Sequence, residues 1–287
     1  MKVPLTLQSG QKIFTREGLF LYYPIDQHYI VADVAPLPGF SDESLFDIRN
    51  EIKSNLPVSP SLQCGLEALN LIKSAMKNRL SLFAQINRRL NLPFPEKNNG
   101  IRYNGLVAVN DHKIEDKIQE LCQLGIKTIK IKVGFDSFDK EYPILNHIIL
   151  KYLHKLTFRL DPNQQWTSKI VETFFSLLPR EGIEYIEDPV STIDELRDCV
   201  PYFDKIALDY FCKKLTISDP IFQKINFIVY KPTLMGGLTK LAVIKKYFPH
   251  VNIIISHSFE SSVGIYYLNC IAAAVNHHYA HGLLYNF

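Results

Sequence analysis

Thr128-Ile129-Lys130-Ile131-Lys132-Val133-Gly134 is a short β-branched run closed by a glycine. Side chains alternate along a strand, so Lys130 and Lys132 point to one face. An apolar strand normally buries that face. Two ammonium groups side by side on it are costly unless anions or a metal site lie opposite. Acids do follow, each at the end of a similar apolar run. Asp161 ends Phe158-Arg159-Leu160-Asp161, Glu187 ends Tyr185-Ile186-Glu187, and Asp209 ends Ile206-Ala207-Leu208-Asp209. A further lysine, Lys231, ends Phe227-Ile228-Val229-Tyr230-Lys231, before Pro232.

Working outward, the chain from about residue 101 alternates strand and helix. Predicted strands end at Val133, Leu160, Ile186, Leu208, Val229 and Ile255, and helices are predicted around 113–124, 139–154, 169–178, 237–247 and 262–275. Regular alternation argues for parallel βαβ units. Six or more in series predict a closed α/β barrel, with a doubly wound sheet as the alternative. In a barrel, reactive groups collect at the carboxyl ends of the strands, which is where the unusual polar residues fall. Three carboxylates at three successive strand ends would then converge on one point of the rim, with Lys231 across the barrel from Lys132.

Residues 1–98 have a different texture. Strands are predicted at 19–23 and 29–32, a turn at 35–41, and helices around 43–54 and 61–90, with Ser41 ahead of Glu43 and Ser44 marking a helix start. The Pro-, Asn- and Gly-rich stretch from Leu92 to Gly100 reads as a linker. The expected division is an α+β domain over 1–98 and a barrel over 99–287.

With 287 residues, 47% of them hydrophobic, the chain can bury a sizeable core. A formal net charge of +3, with basic and acidic residues mixed, gives no reason to infer a nucleic acid or a membrane surface as partner. Five scattered cysteines without a CxxC pair read as reduced thiols of a cytoplasmic protein. The N-terminus lacks the apolar core of a signal peptide, and no apolar run is long enough to span a bilayer. Nothing in the composition sets the oligomeric state.

Singly, each of these residues has a bland reading. An acid at a strand end is often a helix N-cap or a solvated loop charge, and a KxK strand is usually an edge strand with a solvated face. The ordered series outweighs them, because all the groups sit at consecutive strand ends. Hard oxygen donors suit Mg²⁺, and Mn²⁺ would also fit. The chemistry is coherent. A carbon acid beside a carboxylate is very weak, because its conjugate base gathers two negative charges. A cation on that carboxylate relieves the repulsion. A lysine takes the proton only when neutral, and a neighbouring ammonium and a cation favour that form.

These motifs resemble the enolase superfamily, and within it the o-succinylbenzoate synthase family of the muconate-lactonizing subgroup. The resemblance runs over nearly the whole chain. It includes Thr15-Arg16-Glu17-Gly18-Leu19, the turn Ala35-Pro36-Leu37-Pro38-Gly39-Phe40-Ser41, Lys130-Ile131-Lys132, Arg159-Leu160-Asp161-Pro162-Asn163, Glu187-Asp188-Pro189, Lys231-Pro232-Thr233-Leu234 and Glu260-Ser261-Ser262. It implies an α+β capping domain over a modified (β/α)7β TIM-like barrel. It implies a Mg²⁺-dependent dehydration of 2-succinyl-6-hydroxy-2,4-cyclohexadiene-1-carboxylate to 2-succinylbenzoate, a step of menaquinone biosynthesis, with this small carboxylate as the partner. A lysine base paired with Mg²⁺ is the established pattern of that superfamily. By the resemblance, Lys132 is the base and Lys231 the opposed lysine. Asp161, Glu187 and Asp209 are metal ligands, and Lys130, Arg159, Ser256 and Ser258 line the substrate.

Some positions depart from the family pattern. Tyr210-Phe211 follows Asp209 where Glu-Ser is usual, Ala32-Asp33 replaces Gly-Glu, and His257 interrupts a serine-rich stretch, where it reads as a packed or loop histidine. Family members generally run on beyond the segment that ends here at Phe287 and fold that tail over the cap. Two rival readings follow. An N-acylamino-acid racemase or dipeptide epimerase also uses both lysines, but epimerases hold an ammonium with an Asp-x-Asp where this chain reads Ser256-His257-Ser258. A binding protein that kept the fold without turnover has little use for two lysines facing three acids.

Overall fold

Strand β6 (Thr128–Lys132) shows why the fold forms around the KxK stretch. Ile129 and Ile131 are fully buried, while Thr128, Lys130 and Lys132 take the opposite face and are only partly covered. The structure is a computed structural model, describing residues 2–6, 12–54, 57–92, 100–178, 180–275 and 278–284. The expected linker falls largely on 93–99, and the C-terminal segment ends at 285–287. Both lie outside the described residues.

In chain order, β1 (Lys2–Thr6) pairs antiparallel with β2 (Lys12–Thr15), and β3 (Leu19–Ile25) with β4 (His28–Val34). Helices α1 (Leu45–Ser54), α2 (Pro60–Lys77) and α3 (Leu82–Leu90) follow. Helix α1 starts at Ser44 rather than Ser41. Ser44 N donates to Asp47 Oδ2 at 2.8 Å and Asp47 N to Ser44 Oγ at 3.2 Å, a reciprocal capping pair. Ser41 Oγ instead accepts the Leu37 N–H at 2.9 Å and closes the proline turn. The single helix expected over 61–90 is two helices. Arg79 adopts φ 53°, and α3 restarts at Ser81, whose Oγ accepts the Ala84 N–H at 3.1 Å.

The remaining elements are β5 (Asn104–Ala108), α4 (Ile114–Gln123), β6, α5 (Phe138–Tyr152), β7 (Thr157–Asp161), α6 (Ser168–Leu177), β8 (Ile183–Glu187), α7 (Ile193–Asp198), β9 (Ile206–Leu208), α8 (Tyr210–Lys214), β10 (Phe227–Tyr230), α9 (Pro232–Met235), α10 (Thr239–Tyr247), β11 (Asn252–Ile255) and α11 (Ser262–Val275). Strands β5 to β11 form one seven-stranded sheet in sequential order. That is the succession of an α/β barrel and not of a doubly wound sheet, in which the strand order reverses. Strand β5 escaped the sequence expectations because Asn, Gly and Ala favour strands weakly. Pairing with β6 on one side secures it. On the other side, His281 N donates to Arg102 O at 2.7 Å and Asn104 N to His281 O at 3.0 Å, which marks the place of an eighth strand.

The chain divides into two compact units. One comprises Met1–Ile101, Tyr230–Tyr247 and Ile255–His277, the other Arg102–Val229, Phe248–Ile254 and His278–Phe287. Val34, Ile48 and Leu62, packed by Leu19, Leu21 and Leu45, form a core of the first. Tyr185, Ala207, Phe227, Val229 and Ile254, with Tyr279 against them, form a core of the second. All five cysteines are free thiols. No helix among the described residues is long and apolar enough to cross a membrane.

Candidate active site

Parallel register builds the site in the second unit. Lys132 pairs with Asp161 across β6 and β7, and Lys130 pairs with Arg159. Glu187 ends β8 opposite Ala207 of β9, and Asp209 follows β9 directly. Four strand ends thus present Lys132, Asp161, Glu187 and Asp209 in order around one rim.

Lys130 joins the carboxylates. Its Nζ donates to Glu187 Oε2 at 2.7 Å and lies 2.9 Å from Asp161 Oδ2. Burial acts against its charge, yet Asp161 and Glu187 outweigh burial and hold its pKa well above the usual lysine range. Burial likewise opposes ionisation of Asp161, but Lys130 and Lys132 overcome it and bring the carboxyl down to about 2. Asp161 Oδ1 accepts the Asn163 N–H at 3.0 Å, which fixes the carboxylate plane. Asp209 lies within electrostatic reach of Lys130.

Of the three expected metal ligands, Asp161 and Glu187 therefore converge on one cation of the chain's own. Among the described residues, no three His, Cys, Asp or Glu side chains are gathered closely enough to hold a metal. The donor chemistry suits a hard divalent cation all the same: anionic oxygens already draw an ammonium between two of them. Asp161 and Glu187 would hold such a metal through the oxygens that now meet Lys130 Nζ.

The loops behind the strand ends are rigidly tied. Gly134, at φ 80°, turns the chain after β6, and a Cβ there would meet Pro162 O at 2.9 Å. Glu141 of α5 is buried and accepts the N–H groups of Gly134, Phe135 and Asp136 at 2.7, 2.8 and 3.1 Å. Asp188 is also buried, at φ 36°. Its Oδ1 accepts the Asp209 N–H at 3.0 Å and its Oδ2 the Phe211 N–H at 3.1 Å. Burial first, and then the Asp209 carboxylate, push its pKa up to about 7.

The chain resembles proteins of known activity in both sequence and fold. No protein-family model matches it. It is 26% identical over 270 residues to an o-succinylbenzoate synthase of Escherichia coli, covering 92% of this chain and 81% of that one. An o-succinylbenzoate synthase of Aliivibrio fischeri is 27% identical over 280 residues, covering 94% and 84%. The o-succinylbenzoate synthase structure from Thermosynechococcus elongatus, solved with Mg in its active site, superposes with a TM-score of 0.73 at 22% identity, over 98% of this chain and 88% of that one. In sequence the chain is similar to o-succinylbenzoate synthases, and it shares the fold of solved enolase-superfamily proteins. A dipeptide epimerase from Enterococcus faecalis, in complex with Mg and a dipeptide, shares the fold at a TM-score of 0.74 and 19% identity, over 94% and 82%.

Within this fold, Arg159 stands a layer below the rim. It is fully buried, with Nε donating to Glu184 Oε2 at 2.6 Å, Nη1 donating to Asn104 Oδ1 at 2.9 Å, and the guanidinium 4.8 Å from the Tyr185 ring centre. The expected place at the carboxylate end of the substrate does not follow from this position. The register slips between Phe158 and Arg159, which leaves Glu184 as an extra residue on β8 and lets its carboxylate take the arginine. Lys130, also expected to line the substrate, is committed to the two acids instead.

Lys231, Ser256 and Ser258 belong to the first unit. Lys231 follows β10 and caps α9, where Leu234 N donates to its carbonyl at 3.0 Å. Ser256 N donates to Tyr230 O at 3.0 Å and so extends the β10–β11 pairing. Ser258 is buried in a network. Its N–H donates to Glu260 Oε2 at 2.6 Å, its carbonyl accepts from Arg16 Nη1, and Thr233 Oγ1 donates to Glu260 Oε1 at 2.7 Å. His257 Nδ1 accepts the Phe259 N–H at 3.2 Å, a local turn contact in keeping with a loop histidine. Asp33, where the family pattern has glutamate, accepts the Ser261 N–H at 2.7 Å.

The sequence reading missed Glu141, Glu184 and Asp188. Only Asp188 carried a visible signal, as the middle residue of Glu187-Asp188-Pro189.

Proposed function

We propose that this chain is an o-succinylbenzoate synthase, a hydro-lyase converting 2-succinyl-6-hydroxy-2,4-cyclohexadiene-1-carboxylate to 2-succinylbenzoate in menaquinone biosynthesis. The observation that carries the reading is the register of Lys132 beside Asp161, with Asp161 and Glu187 sharing one cation. Relatives named o-succinylbenzoate synthase that align over more than nine-tenths of this chain support it.

Lys132 removes the proton from the ring carbon beside the carboxylate. The electron pair left behind expels the neighbouring hydroxyl group, which takes up the proton held by Lys132 and departs as water, so that Lys132 returns to its neutral form and the ring becomes aromatic. Held by Asp161, Glu187 and Asp209, Mg²⁺ (or Mn²⁺) would neutralise the substrate carboxylate and so ease formation of the doubly negative carbanion. Lys130 balances the charge of Asp161 and Glu187, and Lys231 supplies further positive charge to the developing enolate. Ser256 and Ser258 offer donors to the substrate carboxylates. Residues 1–98 act as the capping domain of a barrel over 99–287, and the protein works in the cytoplasm on a small molecule, without nucleic acid or membrane.

The test is an ultraviolet assay for the aromatic product from the cyclohexadiene carboxylate, with and without Mg²⁺. Metal-dependent appearance of 2-succinylbenzoate is the expected result. Absence of product with a folded, metal-bound protein would sink the assignment.

A further inference from the structure

We propose that Asp188 is the positioning residue for Asp209, holding the backbone from which the third carboxylate is presented to the cation. The inference rests on the metal assignment proposed above and extends it to a side chain that does not itself serve as a ligand.

Asp188 is a junction of three consecutive strand ends. Its N–H donates to Ala207 O of β9 at 3.0 Å, and its carbonyl accepts the Gln164 N–H of the loop after β7 at 3.2 Å. Its side chain turns forward to the corner after β9. There the two carboxylate oxygens divide the N–H groups of Asp209 and Phe211 at 3.0 and 3.1 Å. Asp209 is held at φ −112° and ψ −87°, outside both helix and strand geometry, so its backbone needs an outside partner to stay in place. Asp188 is itself at φ 36°, in the left-handed region that aspartate tolerates better than most side chains. Strain is kept at such a position when the surroundings over-determine it. Here the residue before it, Glu187, is a metal-site carboxylate, and the residue it grips is another. One side chain therefore ties the spacing of Glu187 to that of Asp209.

A carboxylate suits this role and an amide does not. Both oxygens accept N–H groups, whereas asparagine would turn an NH₂ group toward one of them. The rival reading is that Asp188 merely caps the short helix α8, with no bearing on the cation.

A double-mutant cycle separates the two readings. Mg²⁺ affinity is measured by isothermal titration calorimetry on the full chain for the parent, Asp188→Asn, Asp209→Asn and the double variant, each with its melting temperature. Asp188→Asn is expected to weaken Mg²⁺ binding about 10-fold or more, the loss typical of an outer partner of a metal ligand. In the Asp209→Asn background the same change should add almost nothing, because its effect runs through Asp209. An unchanged affinity in Asp188→Asn overturns the proposal, and so do losses that multiply in the double variant. If Asp209→Asn leaves Mg²⁺ binding intact, the ligand assignment itself has failed, an outcome read without reference to Asp188. Should Asp188→Asn not fold, Asp188→Ser, whose hydroxyl accepts one N–H, goes through the same cycle under the same criteria.

Discussion

Two lysines on one strand have different surroundings although they are two residues apart. Lys130 is held between Asp161 and Glu187, while Lys132 stands level with Asp161 in the register, one step nearer the rim. Removing Lys132 as alanine is expected to abolish dehydration in a folded protein, and residual turnover near the parent level would take Lys132 out of the mechanism. Glu187→Gln removes one of the negative charges that attract a cation. Its Mg²⁺ titration should shift to higher concentration together with a loss of activity, and an unshifted titration would mean the ligand set is misassigned. Arg159 is the counter-case. Its guanidinium is sealed against Glu184 and Asn104, so Arg159→Leu breaks a buried ion pair and is expected to cost about 3–5 kcal/mol of stability. Denaturant unfolding would show that loss. A change confined to KM, with stability untouched, would restore the arginine to the substrate. The charged series was visible in the sequence because each member closes an apolar run. The partner of Arg159 was not, because a register slip on β8 decides that Glu184 meets it.

Strands β6 to β11 were legible from their apolar runs, and helices α4 to α6 from their periodicity. Several boundaries were not. Strand β5 is too rich in small residues to announce itself, and the break between α2 and α3 rests on one residue in the left-handed region, Arg79. Ser81 restarts α3 by accepting the Ala84 N–H, so Ser81→Ala is expected to lower stability by about 1 kcal/mol in thermal or denaturant unfolding. The turn after β6 is more demanding. Gly134 has both a positive φ and a crowded Cβ position, so Gly134→Ala should cost at least about 1–2 kcal/mol from backbone strain alone. Because Glu141 gathers the same turn, the damage should extend to kcat, measured beside the melting temperature. A variant with parent kcat would uncouple the turn from Lys132.

For the molecule as a whole, the decisive quantity is whether a divalent cation stabilises it. A ligand that binds only the folded chain raises the melting temperature, and the rise grows with the logarithm of ligand concentration above the dissociation constant. Mg²⁺ is therefore expected to raise the melting temperature of the parent and not of Asp161→Ala, measured by a thermal-shift titration. Equal shifts in both would place the cation elsewhere. The succession of βαβ units, the strand ends that carry charge and the order Lys, Asp, Glu, Asp, Lys were properties of the sequence by itself, since period and spacing are local. The discontinuous make-up of the two compact units, with 230–247 and 255–277 grouped with the N-terminal part, came only from tertiary packing. So did the ammonium shared by Asp161 and Glu187 and the grip of Asp188 on the corner at Asp209. The physical reason is that a hydrogen bond or an ion pair between distant residues depends on strand register and backbone dihedrals, and neither is a function of neighbouring residues alone.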